Sequence, residues 1–186
     1  MTEVEWVELM AKRVRPQLAR RGKSLEVRTG LRLAYGYEIS TYGDPPVSRK
    51  TEFQTDLAIV EVDANGDWRP RVIVEAKITS VTTHDAITYS TKAAAHRAVH
   101  PYLRYGVMLG NQRSSPLPGR LYRHGVQFDF MISFRRFSPT EEELATFIKL
   151  LRSEVKASKT LERILYESRR QDRQRYTVLH RRLDLA

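Results

Sequence analysis

The sequence predicts a central mixed β-sheet flanked by helices, of the α/β or α+β class. Segments with helical spacing lie at both ends of the chain, short apolar runs lie between them, and an Asn-Gly dipeptide joins two of those runs. This order is typical of a sheet covered by helices. With 186 residues the chain has the size of one domain. We expect one domain over 1–186, with a core of about 1–137 and a C-terminal helical and basic extension of about 138–186.

The first half of the chain is predicted to hold one helix and three strand-like segments. Thr2-x-x-Glu5 has the pattern of a capping box, and the helix that it starts is expected to kink or end at Pro16. Asn65-Gly66 is the strongest short-range signal of a hairpin turn, and it separates two apolar runs. The strand-like segments are residues 25–39, with possible bends at Gly30 and Gly36, then 55–62 and 72–78.

The second half is predicted to alternate helices with two further strands. Thr82 or Thr83 could cap a helix that Pro101 stops. Ser138-Pro139-Thr140-Glu141 has the pattern of a second capping box, with proline at the first helical position. The predicted strands are 105–110 and 128–134, and two amphipathic helical stretches follow around 144–155 and 161–165.

Composition and charge exclude several classes of protein. No run of about eighteen apolar residues exists, and the acidic N-terminus lacks the order of a secretory signal, so neither a membrane span nor secretion is expected. The absence of cysteine excludes thiol catalysis and Cys-based zinc sites, and it fits a cytoplasmic protein. A formal net charge of +10 favours a polyanionic partner such as nucleic acid, although a basic but inert surface is the alternative.

The chemistry-bearing residues lie on the two predicted hairpin strands. Residues two apart in a strand share a face, so Glu75 and Lys77 point the same way from an otherwise apolar strand. Ionised groups in such a strand are costly unless they are paired or bound to an ion. The same spacing recurs in Glu154-Val155-Lys156, but there a helix is predicted, and we expect only a solvated helix face.

The register of the hairpin decides whether Asp56 joins this pair. If Asn65-Gly66 forms a two-residue turn, Asp56 falls directly opposite Glu75 and shares its face. Two carboxylates so placed repel each other unless a cation lies between them. A bulge near Pro70 would slip the register by one residue and move Asp56 to the opposite face.

This part of the chain resembles the core of the PD-(D/E)XK nuclease superfamily, above all its restriction-endonuclease branch. The resemblance lies in the order of three features: an acid on one strand, Glu-x-Lys at the end of the next apolar strand, and a helix after it. The resemblance covers about residues 1–134. Asp56 matches the first acid, although Thr55 precedes it where the motif is named for proline, and Glu75 and Lys77 match the second acid and the lysine. The implied fold is a restriction-endonuclease-like core with the C-terminal helices as an elaboration.

The resemblance implies a Mg²⁺-dependent endonuclease of double-stranded DNA, with Mn²⁺ as a possible substitute. Asp56, Glu75 and the backbone carbonyl of Ala76 would hold the ion, which would polarise the phosphate and activate a water molecule. Lys77 would orient or deprotonate that water or offset charge on the phosphorus. Family members often add a glutamate from the first helix, and Glu8 is the best-placed candidate. The alternative is a structural cross-strand ion pair between Lys77 and a carboxylate.

Candidate DNA contacts are basic residues on predicted helices and loops, and a solvated helix with a basic end is the alternative for those near the C-terminus. His96 and His100 have the spacing of a helical zinc pair, but no third ligand is evident, and a structural or phosphate-facing role is expected. The candidate contacts are Lys92, Arg104, Arg113, Arg169, Arg170 and Arg173.

The leading interpretation of the sequence is a type II-like restriction endonuclease. Such an enzyme would act as a homodimer, because the two-fold symmetry of its site in DNA matches the two-fold symmetry of the protein. The alternatives are a non-catalytic nucleic-acid-binding module with the same fold, a repair or mobile-element nuclease, and an RNA nuclease on this scaffold.

Overall fold

The predicted class is confirmed: the fold is a mixed β-sheet flanked by helices. The structure is a computed structural model and describes residues 1–18, 24–112 and 117–166. The elements in chain order are α1 (Glu3–Leu18), β1 (Leu25–Thr29), β2 (Arg32–Thr41), β3 (Val47–Gln54), β4 (Leu57–Val62), β5 (Trp68–Ile78), α2 (Thr83–Val99), β6 (Arg104–Gly110), α3 (Gly119–His124), β7 (Phe130–Ser133) and α4 (Glu141–Tyr166).

The central sheet has five strands in the order β1-β4-β5-β6-β7. The pairs β1–β4 and β4–β5 are antiparallel, whereas β5–β6 and β6–β7 are parallel. Strands β2 and β3 form a separate two-stranded sheet. Because α2 connects the parallel strands β5 and β6, its N-terminus lies at the carboxyl end of β5, where open α/β sheets commonly place their sites.

Alternation along β5 divides its side chains between two apolar cores. Val72, Val74 and Ala76 belong to the core that also contains residues of α1 and α4. Ile73 belongs to the core that contains residues of α2. Since residues two apart share a face, Glu75 and Lys77 lie with Ile73 on the α2 face. The sequence predicted that the two share a face but not which helix covers it.

The β4–β5 hairpin reaches the predicted register by a different route. Its turn is longer than two residues: the N–H of Asp63 donates to the carbonyl of Asp67, and Gly66 has a φ of +87°. The ladder then shifts by one residue between Ile59 and Val60, which leaves Arg71 as the extra residue of β5. The bulge offsets the longer turn, so Leu57 pairs with Val74 and Asp56 comes opposite Glu75.

Helix α1 begins as predicted and docks on the end of β6. The backbone N–H of Thr2 donates to Glu5, and that of Glu5 donates to the Thr2 hydroxyl, which completes the capping box. The buried Trp6 indole lies over Gly110, where a Cβ atom would come within 2.7 Å of the ring. The helix continues past Pro16 to Leu18.

Helix α4 is a single 26-residue helix, where the sequence suggested two amphipathic stretches. Its capping box is formed by Thr140 and Glu143, not by Ser138 and Glu141 as predicted. Its apolar face joins the core shared with α1, so the described part of the predicted C-terminal extension packs on the core. Among the described residues, no helix has the length and apolar character needed to cross a membrane.

Candidate active site

Asp56 lies directly before β4. Its side chain contacts β5 beyond the last β4–β5 pair, on the edge that β4 leaves unpaired. Its Oδ2 accepts a 2.7 Å hydrogen bond from the backbone N–H of Ala76. In a strand the N–H and C=O of one residue point to the same side, so the Ala76 carbonyl is directed towards Asp56. The last β4–β5 pair is Leu57–Val74, so this side of Ala76 lies beyond the β4–β5 ladder and next to Asp56.

The side chain of Glu75 is buried inside the protein, and 1% of the surface of the residue is exposed. The hydroxyl of Tyr105 donates a short hydrogen bond to its Oε1. The ammonium of Lys92 lies 3.6 Å from the same oxygen. Burial, together with the charge of Asp56, raises the pKa of Glu75 to about 7 against the opposing effects of Lys92 and Tyr105.

Lys77 is held at the rim of the site by two acids and a tyrosine. Its Nζ lies 3.4 Å from Oε2 of Glu3 and 3.7 Å from Oδ1 of Asp85. Burial lowers the pKa of Lys77, but Tyr89, Glu3 and Asp85 outweigh burial and hold that pKa above its ordinary value. Lys77 is therefore suited to act as a fixed cation and not as a base that removes a proton.

One face of α2 supplies the remaining groups of the site. Asp85, Tyr89 and Lys92 are four and three residues apart, which places them on one side of a helix. Asp85 also closes the capping box of α2 with Thr82. The Lys77 and Lys92 ammonium groups lie 5.8 Å and 5.5 Å from the Tyr89 ring centre, so both cations contact this ring.

The carboxyl ends of β5 and β6 carry two unusual backbone conformations beside these residues. Thr79 has a φ of +66° and Asn111 a φ of +61°. The left-handed region is costly for a β-branched residue such as threonine. The Thr79 N–H donates to the carbonyl of Gly110, which ties the two strand ends together. Strain of this kind clusters at functional sites.

Two of the predicted site residues lie elsewhere than expected. Glu8 does not contact the cluster: it accepts a hydrogen bond from the Thr29 hydroxyl and lies 4.0 Å from Arg15. The glutamate that α1 contributes is Glu3, in its first turn. Lys92, predicted as a DNA contact, points inward to Glu75 with 20% of its side chain exposed.

The Arg104 side chain is largely buried and paired inside the protein. It is 12% exposed and pairs with Asp129 at 3.0 Å and with Glu154 at 2.6 Å. Its guanidinium is already paired inside the protein, and the DNA contact predicted at Arg104 stays a prediction. The other candidate contacts, Arg113, Arg169, Arg170 and Arg173, lie outside the described residues.

His96 has a structural position, as the sequence analysis expected. Its ring is buried, lies 3.2 Å from the carbonyl of Leu33 and stacks on Tyr105 at 5.6 Å. Burial lowers the pKa of His96 to about 4, so the ring is neutral at physiological pH. By stacking on Tyr105, the His96 ring supports the residue whose hydroxyl holds Glu75.

The donor set suits Mg²⁺, which keeps water and phosphate among its ligands, better than a metal ion whose ligands all come from the protein. The described residues contain no group of three His, Cys, Asp or Glu side chains that could hold a metal. Asp56, Glu75 and the Ala76 carbonyl supply hard oxygens, and Mg²⁺ is commonly bound through one or two carboxylates with water and phosphate completing its shell. Two opposed carboxylates with an excess of negative charge favour such an ion.

Comparison with known proteins assigns no family to the chain. No protein-family model and no curated protein matches it. The function has to be inferred from the geometry of the site.

Proposed function

We propose that the protein is a Mg²⁺-dependent DNA endonuclease of the PD-(D/E)XK type. The observation that carries the proposal is the placement of Asp56 opposite Glu75, with Lys77 on the same face at the carboxyl end of β5. An acid pair with a fixed ammonium beside it matches what phosphodiester hydrolysis requires: a cation site, and a positive group for the developing charge.

Each residue of the site has a distinct task in this proposal. Asp56, fixed by the Ala76 N–H, and Glu75, fixed by Tyr105, would hold the ion. When bound, Mg²⁺ supplies polarisation of the phosphate and a more acidic water. Lys77, restrained by Glu3 and Asp85, would orient the phosphate and offset its charge.

Duplex DNA is the partner that suits the charge of the chain. The formal net charge of +10 favours a polyanion, and phosphate contacts dominate the affinity of such complexes. Within the nuclease class we favour a type II-like restriction enzyme that acts in the cytoplasm as a homodimer, because a palindromic DNA site has the symmetry of a two-fold dimer. Mn²⁺ is expected to replace Mg²⁺.

The proposal is tested by incubating supercoiled plasmid with the protein in Mg²⁺, in Mn²⁺ and in a chelator. We expect nicking or cutting in both metals and none in the chelator. Glu75→Gln and Lys77→Met should each reduce cutting by about a hundred-fold or more, as expected when a charge-stabilising group is lost. Discrete fragments from a long substrate would indicate restriction, and a smear would indicate a non-specific nuclease.

Glu26→Gln is the matched control, because Glu26 is an acid on strand β1 of the same sheet that pairs with Arg28. This variant should cut like the parent. Cutting in the chelator, or normal cutting by Glu75→Gln, would contradict the proposed site. Binding of duplex DNA without cutting in either metal would favour the non-catalytic binding module instead.

A further inference from the structure

We propose that Lys92 takes the place of a second metal ion beside Glu75, so that the site binds a single divalent cation. The inference rests on the proposed metal-dependent function and adds the number of ions to it. Lys92 is a positioning residue in this account, since its ammonium contacts Glu75.

The contacts of Glu75 distinguish its two oxygens. Oε1 receives the Tyr105 hydroxyl and lies 3.6 Å from the Lys92 ammonium. The other oxygen, Oε2, makes neither of these contacts, and the carboxyl group of Glu75 interacts with that of Asp56. Two-metal sites hold their ions about 3.5–4 Å apart with shared oxygen ligands. A second ion on Oε1 would therefore meet the Lys92 ammonium at close range.

Lys92 is fixed from several sides and cannot easily make way for an ion. Its Nζ donates a 3.4 Å hydrogen bond to the carbonyl of Gln54. The same ammonium lies 5.6 Å from the Phe53 ring centre and 5.5 Å from that of Tyr89. A partly desolvated ammonium against aromatic faces gains cation–π stabilisation that it would lose by swinging into solvent.

The charge balance of the cluster points to the same number of ions. Among the described residues the cluster contains four carboxylates, those of Glu3, Asp56, Glu75 and Asp85, against the ammonium groups of Lys77 and Lys92. Its formal charge is minus two, which one divalent cation neutralises. A second ion would leave an excess of positive charge in a largely buried cluster, which is costly. Loss of the Lys92 charge would lower that barrier, because two ions would then leave one excess positive charge and not two.

The test counts the Mn²⁺ ions bound per chain, by equilibrium dialysis and by electron paramagnetic resonance, without DNA. We expect one ion for the parent and for Lys92→Arg, which keeps the charge. Lys92→Met should bind two, with a spectrum broadened by coupling between neighbouring Mn²⁺ ions. Lys50→Met is the matched control, because Lys50 is an exposed lysine that pairs with Glu52 on β3, and it should bind one.

Each outcome of the count decides a different statement. Two coupled ions in the parent, or one ion in a folded Lys92→Met, would overturn the role of Lys92 and leave the proposed nuclease untouched. No bound Mn²⁺ in the parent would overturn the proposed function and the inference with it. If circular dichroism shows that Lys92→Met is unfolded, Lys92→Gln takes its place. The number of ions bound by the parent still tests the prediction of a single ion.

Discussion

Glu75 is deeply buried beside a second acid, and its ionisation therefore opposes folding when no metal ion is bound. Its pKa rises from about 4.5 in the unfolded chain to about 7 in the folded protein. The folded protein thus binds the proton more tightly, and the stability gained below pH 4.5 is lost as the pH rises to 7. With about 1.4 kcal/mol per pKa unit, the free energy of unfolding in chelator should fall by about 3 kcal/mol from pH 5 to pH 8 through this group.

Glu75→Gln provides the comparison, because glutamine has the shape of the protonated acid but does not titrate. Urea denaturation at pH 5 and pH 8 should show a much smaller decrease for this variant, which should be more stable than the parent at pH 8. Saturating Mg²⁺ should restore much of the loss in the parent at pH 8, since an ion that binds the folded state stabilises it. Equal pH dependence of the two proteins would contradict the raised pKa.

The residues of the site were predictable where strand alternation decides them. The face shared by Glu75 and Lys77 follows from their spacing, and the hairpin brings Asp56 opposite Glu75. The choice of Glu3 over Glu8 did not follow from helical spacing, because it depends on how α1 docks through Trp6. Tyr105 was missed as well, since an aromatic residue in a buried strand gives no sign of what its hydroxyl contacts.

At the scale of elements, the strands and helices with an apolar face were predicted and those without one were missed. Strand β3 is largely exposed and reads Val-Ser-Arg-Lys-Thr-Glu-Phe-Gln, which lacks the alternation that predicts a strand. Helix α3 has six residues, too few to show a helical period. The longer turn of the β4–β5 hairpin was missed, whereas a bulge near Pro70 had been considered, and the predicted register survived because the effects of turn and bulge offset each other.

The docking of α1 on the end of β6 depends on the absence of a side chain at Gly110. A Cβ there would lie 2.7 Å from the Trp6 ring, so Gly110→Ala should displace α1 and with it Glu3. We expect a loss of about 1–3 kcal/mol in the free energy of unfolding, as for other overpacked cores, and weaker cutting in the Mg²⁺ assay.

Gly119→Ala is the control for this substitution, because no atom lies within 4 Å of a Cβ at Gly119. Urea denaturation should show little change for that variant, or a slight gain from the better helix propensity of alanine. If the two variants were equally stable, the contact between Trp6 and Gly110 would not be what holds α1 in place.

For the whole molecule, charge predicts how binding responds to salt. A protein with a net charge of +10 that neutralises DNA phosphates releases counterions. The logarithm of the affinity for a duplex should fall linearly with the logarithm of the salt concentration, with a slope of about −0.9 per phosphate contacted. Fluorescence anisotropy with a labelled duplex between low and physiological salt measures this slope.

Glu75→Gln should give the same slope as the parent, because in our proposal the buried acid binds the metal and surface residues make the phosphate contacts. An affinity that does not change with salt would exclude a phosphate-dominated interface. Sedimentation in the same buffers would show whether the duplex-bound protein is the homodimer that restriction of a palindromic site requires.

The class of the whole fold followed from the order of its elements, whereas the role of its last helix did not. An amphipathic pattern shows that α4 has a face to bury but not what that face covers. In the structure it covers the sheet beside α1, so the described part of the predicted extension forms one side of the core. The partner of a helix face is a tertiary property that one helix alone does not encode.

The position of Trp6 makes the protein suitable for optical measurements. The chain has two tryptophans. Trp68 begins β5 and is 37% exposed, whereas the fully buried Trp6 packs on Gly110, the partner of the last residue of β5. The two fluorophores thus report on opposite ends of one strand. In Trp68→Phe, the remaining emission comes from the end that carries the acidic pair, so a change of its wavelength or quenching would signal events there without any added label.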